Sequence, residues 1–114
     1  MSTIYKICPA EAWREAERAG AYRGSPDDQH DGFIHFSTAA QLGGTLAKHF
    51  AGQAGLVLVS APVAAFGDVL RWEPSRGGDL FPHLYGDFDP KLAEAVTPLA
   101  LDADGRHRLP EALS

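Results

Sequence analysis

The chain has 114 residues, a formal net charge of -5, 45% hydrophobic residues and 22% charged ones, a balance expected of one globular α+β domain over residues 1–114 and not of a disordered segment. The acidic balance argues against a nucleic-acid partner, which calls for a basic face, but leaves a small phosphate-bearing ligand open. No apolar run nears the roughly 18 residues of a membrane span, the N-terminus lacks a signal-peptide pattern, and the single cysteine, Cys8, rules out an intramolecular disulfide. A cytoplasmic protein, monomeric or weakly dimeric and without membrane contact, is the expectation.

Residues 4–7 read as a first strand, and Pro9 marks a helix start, where its missing N–H costs nothing. Residues 10–19 are rich in Ala, Glu and Arg and predict a helix, with Gly20 as its stop. The polar stretch 23–30 carries Ser25-Pro26 and Asp27-Asp28 as turn signals and predicts a loop; such loops often rim a site.

Residues 31–38, Asp-Gly-Phe-Ile-His-Phe-Ser-Thr, predict a buried strand running straight into a helix. Large apolar residues suit a covered, pleated surface. Alternation puts Phe33, His35 and Ser37 on one face and Ile34 and Phe36 on the other. Ser37 or Thr38 caps the next helix, and Thr38 with Gln41 fits a capping box. An imidazole is thereby expected inside an apolar strand, next to a hydroxyl.

Residues 39–50 predict a second helix, with Leu42, Leu46 and Phe50 on one side. Its Gly43-Gly44 pair weakens it by about 1 kcal/mol per glycine relative to Ala, which fits either a close approach by another backbone or ligand, or tight packing alone. Residues 56–60 predict a buried strand, 61–68 a connection with one helical turn, 69–73 another strand and 75–79 a turn. Residues 80–86 look extended, with Pro82 suggesting a sheet edge, and 95–101 supply the last strand before a polar tail. The order β-α-β-α followed by several strands points to α+β.

Three pieces can carry chemistry: His35 with Ser37 and Thr38, Glu73 at a strand end, and Phe81-Pro82-His83-Leu84-Tyr85, where His83 lies between two aromatics. A lone histidine in an apolar strand is usually a hydrogen-bonded core residue; two of them plus a carboxylate shift the reading toward a site. His35, His83 and Glu73 together would also suit a metal, but no spacing or cysteine pair matches a zinc signature, and no metal is expected. Ser37 lacks the nucleophile elbow Gly-x-Ser-x-Gly and is better explained as a cap.

Gly32-Phe33-Ile34-His35-Phe36-Ser37-Thr38 followed by Gln41, then Trp72-Glu73, then Phe81-Pro82-His83-Leu84-Tyr85-Gly86, resembles the bacterial family called domain of unknown function 952, from residue 4 to about 97. That family in turn resembles a minimal ADP-ribosyltransferase fold, a split antiparallel or mixed β-sheet core with two main helices. The resemblance implies a cleft for NAD, a small nucleotide ligand. It puts Tyr5 and Lys6 where a Tyr-His pair would hold the adenosine ribose, with Lys6 in place of the histidine, and His35 where a tyrosine would stack on nicotinamide. Glu73 or His83 then takes the late catalytic position, while Lys6 with Arg71 or Arg76 meets the pyrophosphate, and Ser37, Thr38 and Tyr85 complete the cofactor-binding set. The implied activity is ADP-ribosyl transfer or NAD cleavage through His35, His83 and Glu73. Two rivals stay open: a non-enzymatic nucleotide-binding or sensing module on the same fold, and an interaction protein whose histidines are structural.

Overall fold

The computed structural model describes residues 2–113, apart from the side chains of Arg76 and Ala112. Its regular elements are β1 (Thr3–Pro9), α1 (Ala10–Ala19), α2 (Pro26–Asp31), β2 (Ile34–His35), α3 (Leu42–His49), β3 (Leu56–Pro62), β4 (Leu70–Pro74), β5 (Leu80–Leu84) and β6 (Ala95–Leu99). The strands form two antiparallel sheets of three, ordered β1-β3-β6 and β2-β5-β4. The sheets meet at one point, where Tyr5 N–H donates to the Ser37 carbonyl at 2.8 Å and Ser37 N–H to the Tyr5 carbonyl at 2.9 Å. The expected α+β class holds; the sheet is antiparallel throughout, and a third short helix, α2, joins the two main ones.

Alternation along the strands builds a core on each side of the first sheet. Ile4 and Cys8 of β1 and Val57, Val59 and Ala61 of β3 face one way, against Trp13 and Ala16 of α1 and against Ile34, Phe36 and Leu84 from the second sheet. Ile7, Leu56 and Leu58 face the other way and pack on Leu42 and Leu46 of α3. Helix α1 runs over the expected residues and stops at Gly20, whose φ of 82° is left-handed, a conformation that a Cβ disfavours.

Three expectations are corrected. The predicted loop at 23–30 contains α2, because Ser25, Pro26, Asp27 and Asp28 are a helix N-terminus and not a turn. The long central strand is short: β2 pairs Ile34 and His35 with Leu84 and His83 of β5, one further backbone bond follows at Phe36, and the chain then crosses to β1. And Pro82 lies in the middle strand of its sheet, not at an edge. Its carbonyl accepts from Phe36 N–H at 3.0 Å, and its missing N–H lies on that same side, so the reciprocal bond to Phe36 is not made. Proline here costs one ladder bond at the point where the chain leaves β5.

The second helix opens with a 3₁₀ turn at Ala39–Gln41 before α3, and Gln41 Oε1 accepts from Thr38 N–H at 3.0 Å as the capping box requires. Gln41 Nε2 also donates to the Leu80 carbonyl at 2.8 Å, tying the helix start to β5. A Cβ at Gly43 would meet nothing within 4 Å, so no close approach explains that glycine.

Cys8 is buried, and burial pushes its thiol up from 9.0 to about 11. An aromatic disulfide reagent at about pH 8 should leave the folded protein unmodified and titrate the thiol once denaturant is added, since the thiolate is the reactive form.

Candidate functional site

The site begins with a helix cap. Ser25 Oγ accepts from Asp28 N–H at 3.1 Å while Asp28 Oδ2 accepts from Ser25 N–H at 2.9 Å, a reciprocal box that starts α2 and fixes Asp28 beneath it. Asp28 is 2% exposed. Its Oδ2 also takes the Lys6 ammonium at 2.7 Å, and its Oδ1 meets His35 Nδ1 at 2.6 Å and His35 N–H at 3.1 Å. Lys6, itself 5% exposed, donates a second bond to the His35 carbonyl at 3.0 Å. One buried carboxylate thus holds the histidine by ring and backbone, and one buried ammonium neutralises it.

Burial alone would raise the Asp28 carboxyl, but the His35 hydrogen bond and the Lys6 charge outweigh it and hold the group well below its ordinary 3.8. The unfolded chain therefore takes up this proton first as pH falls. The stability from Asp28 is complete above that ordinary value and is lost progressively below it. Urea midpoints should accordingly fall between about pH 6 and about pH 3, and fall less in a variant lacking Asp28.

Gly24 makes room for this arrangement. Its φ is +104°, and a Cβ there would lie 2.6 Å from Asp28 Cβ. Gly24→Ala is expected to destabilise by more than about 1 kcal/mol and to shift the His35 ring resonances in NMR, as Asp28 is displaced.

The second histidine is held in the same way from the other strand. Register sets His83 of β5 directly between His35 and Arg71, so all three project from one sheet face. His83 Nδ1 donates to Glu73 Oε1 at 2.8 Å, and Tyr85 OH donates to the same oxygen at 2.7 Å. Those two bonds draw the Glu73 carboxyl down, and the bond to Glu73 pushes the Tyr85 phenol up. The Arg71 guanidinium sits 4.9 Å from the centre of the Tyr85 ring. Phe33 stacks on His83 at 4.1 Å and touches His35 at 4.6 Å; the two imidazoles are 5.3 Å apart, edge to face.

His83 is 4% exposed, and its Nε2 is buried without a hydrogen-bond partner among the described residues. With Nδ1 donating to an acceptor-only carboxylate, Nε2 is a bare acceptor. A buried polar atom left so costs about 1–3 kcal/mol, which is why such atoms in native proteins call for an explanation.

Both histidines line one cleft of about 230 Å³ between the sheets, together with Tyr5, Lys6 and Ser37 from the expected set and Asp27, Asp28 and Asp31 from α2. Asp31 Oδ2 lies 3.0 Å from His35 Nε2. Ser37 Oγ is 3.0 Å from Thr45 Oγ1, which donates on to the Gln41 carbonyl at 3.1 Å. Glu73, Thr38, Arg71 and Tyr85 are not among the lining residues: Glu73 reaches the cleft only through His83, Thr38 caps a turn, and Arg71 and Tyr85 pair with each other beyond His83. Lys6 faces Asp28 and not a ligand phosphate. The side chain of Arg76, the alternative to Arg71, lies outside the described residues. No group of three His, Cys, Asp or Glu is placed to hold a metal among the described residues, and no helix there is long and apolar enough to cross a membrane.

Asp28 and Asp31 are the functional candidates that sequence reasoning passed over. Their signal was Ser25-Pro26-Asp27-Asp28, which reads equally as a turn or as a capped helix start.

A protein of solved structure shares this architecture. The crystal structure of protein CC0527 from Caulobacter crescentus superposes with a TM-score of 0.94 at 43% identity over 98% of each chain, and a double-mutant crystal structure of that protein gives the same values. Its solution NMR structure superposes at 0.84, with 44% identity over 93% of this chain and 91% of that one. No curated protein matches the chain. The pattern of the proteins of unknown function called DUF952 matches residues 7–97, a span that holds both histidines and the carboxylates behind them, and the chain belongs to that family.

Proposed function

We propose that the cleft is an acid–base site of the ADP-ribosyltransferase-like kind, cleaving the nicotinamide–ribose bond of NAD or a related nucleotide with His35 and His83 at its centre. The observation that carries this reading is the meeting of two imidazoles, 48 positions apart in sequence (83 minus 35), at 5.3 Å in one hollow, each with a carboxylate on Nδ1. A carboxylate there fixes tautomer and ring orientation and steadies the charge on the ring when the other nitrogen takes a proton. The two sheets that part beyond the Tyr5–Ser37 contact also suit the split core that the family resemblance implies.

In this mechanism the C1′–N bond breaks and its electron pair leaves on nicotinamide, which departs neutral. Water or an acceptor hydroxyl gives its proton to His83 Nε2 as its oxygen bonds to C1′. Glu73 holds the Nδ1 proton and offsets the imidazolium that forms. His35 orients the ring or ribose. Asp31, beside His35, supplies the negative charge near the oxocarbenium-like centre that Glu73 cannot supply from outside the lining. A cleft of about 230 Å³ is below the roughly 300–1,000 Å³ of common ligand sites, so it suits one end of a dinucleotide, with the remainder outside.

Incubating the protein with NAD and following free nicotinamide tests the reading. Release that His35→Ala lowers supports it; equal rates from both proteins sink it. NAD binding without turnover would favour the non-enzymatic module.

A further inference from the structure

Strand β4 is an outer strand of the second sheet, and its main-chain groups divide by alternation. Tyr85 N–H donates to the Val69 carbonyl at 2.7 Å and Ser75 N–H to the Asp79 carbonyl at 2.9 Å. Val69, Arg71, Glu73 and Ser75 therefore turn their main-chain groups toward β5, and Leu70, Trp72 and Pro74 turn theirs outward. Leu70 N–H is spent on the Gly67 carbonyl, and Pro74 has no N–H. Trp72 is thus the residue of β4 that offers both a donor and an acceptor along the open edge. Its side chain is 41% exposed, with Leu80 at 53% on the same sheet face. On the opposite face, Arg71 and Glu73 flank it. Arg71 meets the Tyr85 ring but pairs with no carboxylate among the described residues, and of the two Glu73 oxygens only Oε1 has partners there.

We propose that this edge is a homodimer interface: β4 pairs antiparallel with β4 of a second copy about a two-fold axis at Trp72, joining two three-stranded sheets into one of six strands. In that register Trp72 exchanges two N–H···O=C bonds with Trp72 of the second copy, and the two indoles lie side by side on one face. On the other face Arg71 stands directly opposite Glu73 of the second copy, twice over. The charges select this register. Sliding the pairing by the two-residue step that keeps the bonding pattern sets Arg71 against Arg71 one way and Glu73 against Glu73 the other, and like charges directly opposite are destabilising. Charged and proline-bearing edges ordinarily keep strands apart; here the same residues bar foreign strands and match a copy of themselves. The arriving Arg71 meets the free oxygen of Glu73, whose other oxygen holds His83 and Tyr85, so the second copy adds a residue behind the candidate site. An edge of five residues covers less than the roughly 1,200–2,000 Å² of stable complexes, so association is expected at high protein concentration. The inference stands apart from the acid–base reading of the cleft.

Sedimentation equilibrium of the full chain between about 10 μM and about 1 mM, with amide hydrogen exchange followed by NMR at both ends of that range, tests the proposal. A monomer–dimer equilibrium is expected, with exchange at the Trp72 amide at least tenfold slower at the higher concentration. Arg71→Glu puts like charges opposite one another at an exposed position and should weaken the dimer at least tenfold. Trp72→Pro removes the outward N–H while every bond to β5 is kept, and should leave a monomer. Both variants change exposed or outward groups and keep the fold, which thermal unfolding verifies. A chain that stays monomeric throughout the range overturns the proposal, as does a dimer equally strong in parent and Arg71→Glu. So does a dimer whose Trp72 amide exchanges as fast as the monomer's, since its partner then sits on another face.

Discussion

Asp28→Asn should lower the stability of the folded protein by about 3–5 kcal/mol, the usual cost of breaking a buried ion pair from one side, against a total of about 5–15 kcal/mol for a domain. The carboxylate is 2% exposed and carries bonds from the Lys6 ammonium, the His35 ring, the His35 backbone and Ser25 N–H. An amide keeps the shape and some of those bonds but leaves the ammonium buried without an opposite charge. Urea unfolding should show a lower midpoint at an unchanged slope. Adding Lys6→Met to Asp28→Asn should recover part of the loss, because the stranded charge goes with it, and the double-mutant cycle then reports the coupling. An Asp28→Asn protein within about 1 kcal/mol of its parent would show that Lys6 finds another partner and that the buried pair does not hold the site together.

His83→Ala should reduce nicotinamide release by about 10²–10⁴-fold, the range associated with a positioned general base. His83 is the histidine with a free nitrogen, whereas both nitrogens of His35 already lie against carboxylates. The loss should be mainly in kcat, because the proton moves only in the transition state. Glu73→Gln should cost less, since an amide oxygen still accepts from Nδ1 but no longer offsets the imidazolium. Tyr85→Phe removes one of the two bonds on Glu73 Oε1 and should cost least. Because His83 also stacks on Phe33, a melting curve must accompany each rate. An ordered series His83→Ala, Glu73→Gln, Tyr85→Phe supports a relay through Nδ1; equal rates throughout would leave these groups as packing.

The pairing of His83 with Glu73 and Tyr85 has a further consequence. Phe81, His83 and Tyr85 share a face by alternation along β5, and Glu73 shares it by cross-strand register with Phe81. Together they make the second sheet polar on one face, where it borders the cleft, and apolar on the other, where Ile34, Leu70 and Leu84 join the core.

Much of this was legible in the chain because it depends on local rules. Helix α1 with its Gly20 stop, the facing of Ile34 and Phe36 into the core, the box joining Thr38 to Gln41, and the shared face of Phe81, His83 and Tyr85 follow from periodicity, capping and φ preferences within a few residues. What separates residues far apart in sequence was not legible. Ser25-Pro26-Asp27-Asp28 satisfies both a turn and a helix start, and the bonds that Lys6 and His35 make to Asp28 go with the helix. Pro82 reads as an edge residue until the sheet order puts β5 between β2 and β4. Lys6 reads as a cation free for phosphate until Asp28, 22 positions away, takes it. Spacing along the chain gave His35 and His83 their faces, but only strand pairing could bring the two rings together, since register is a long-range choice that no short window contains.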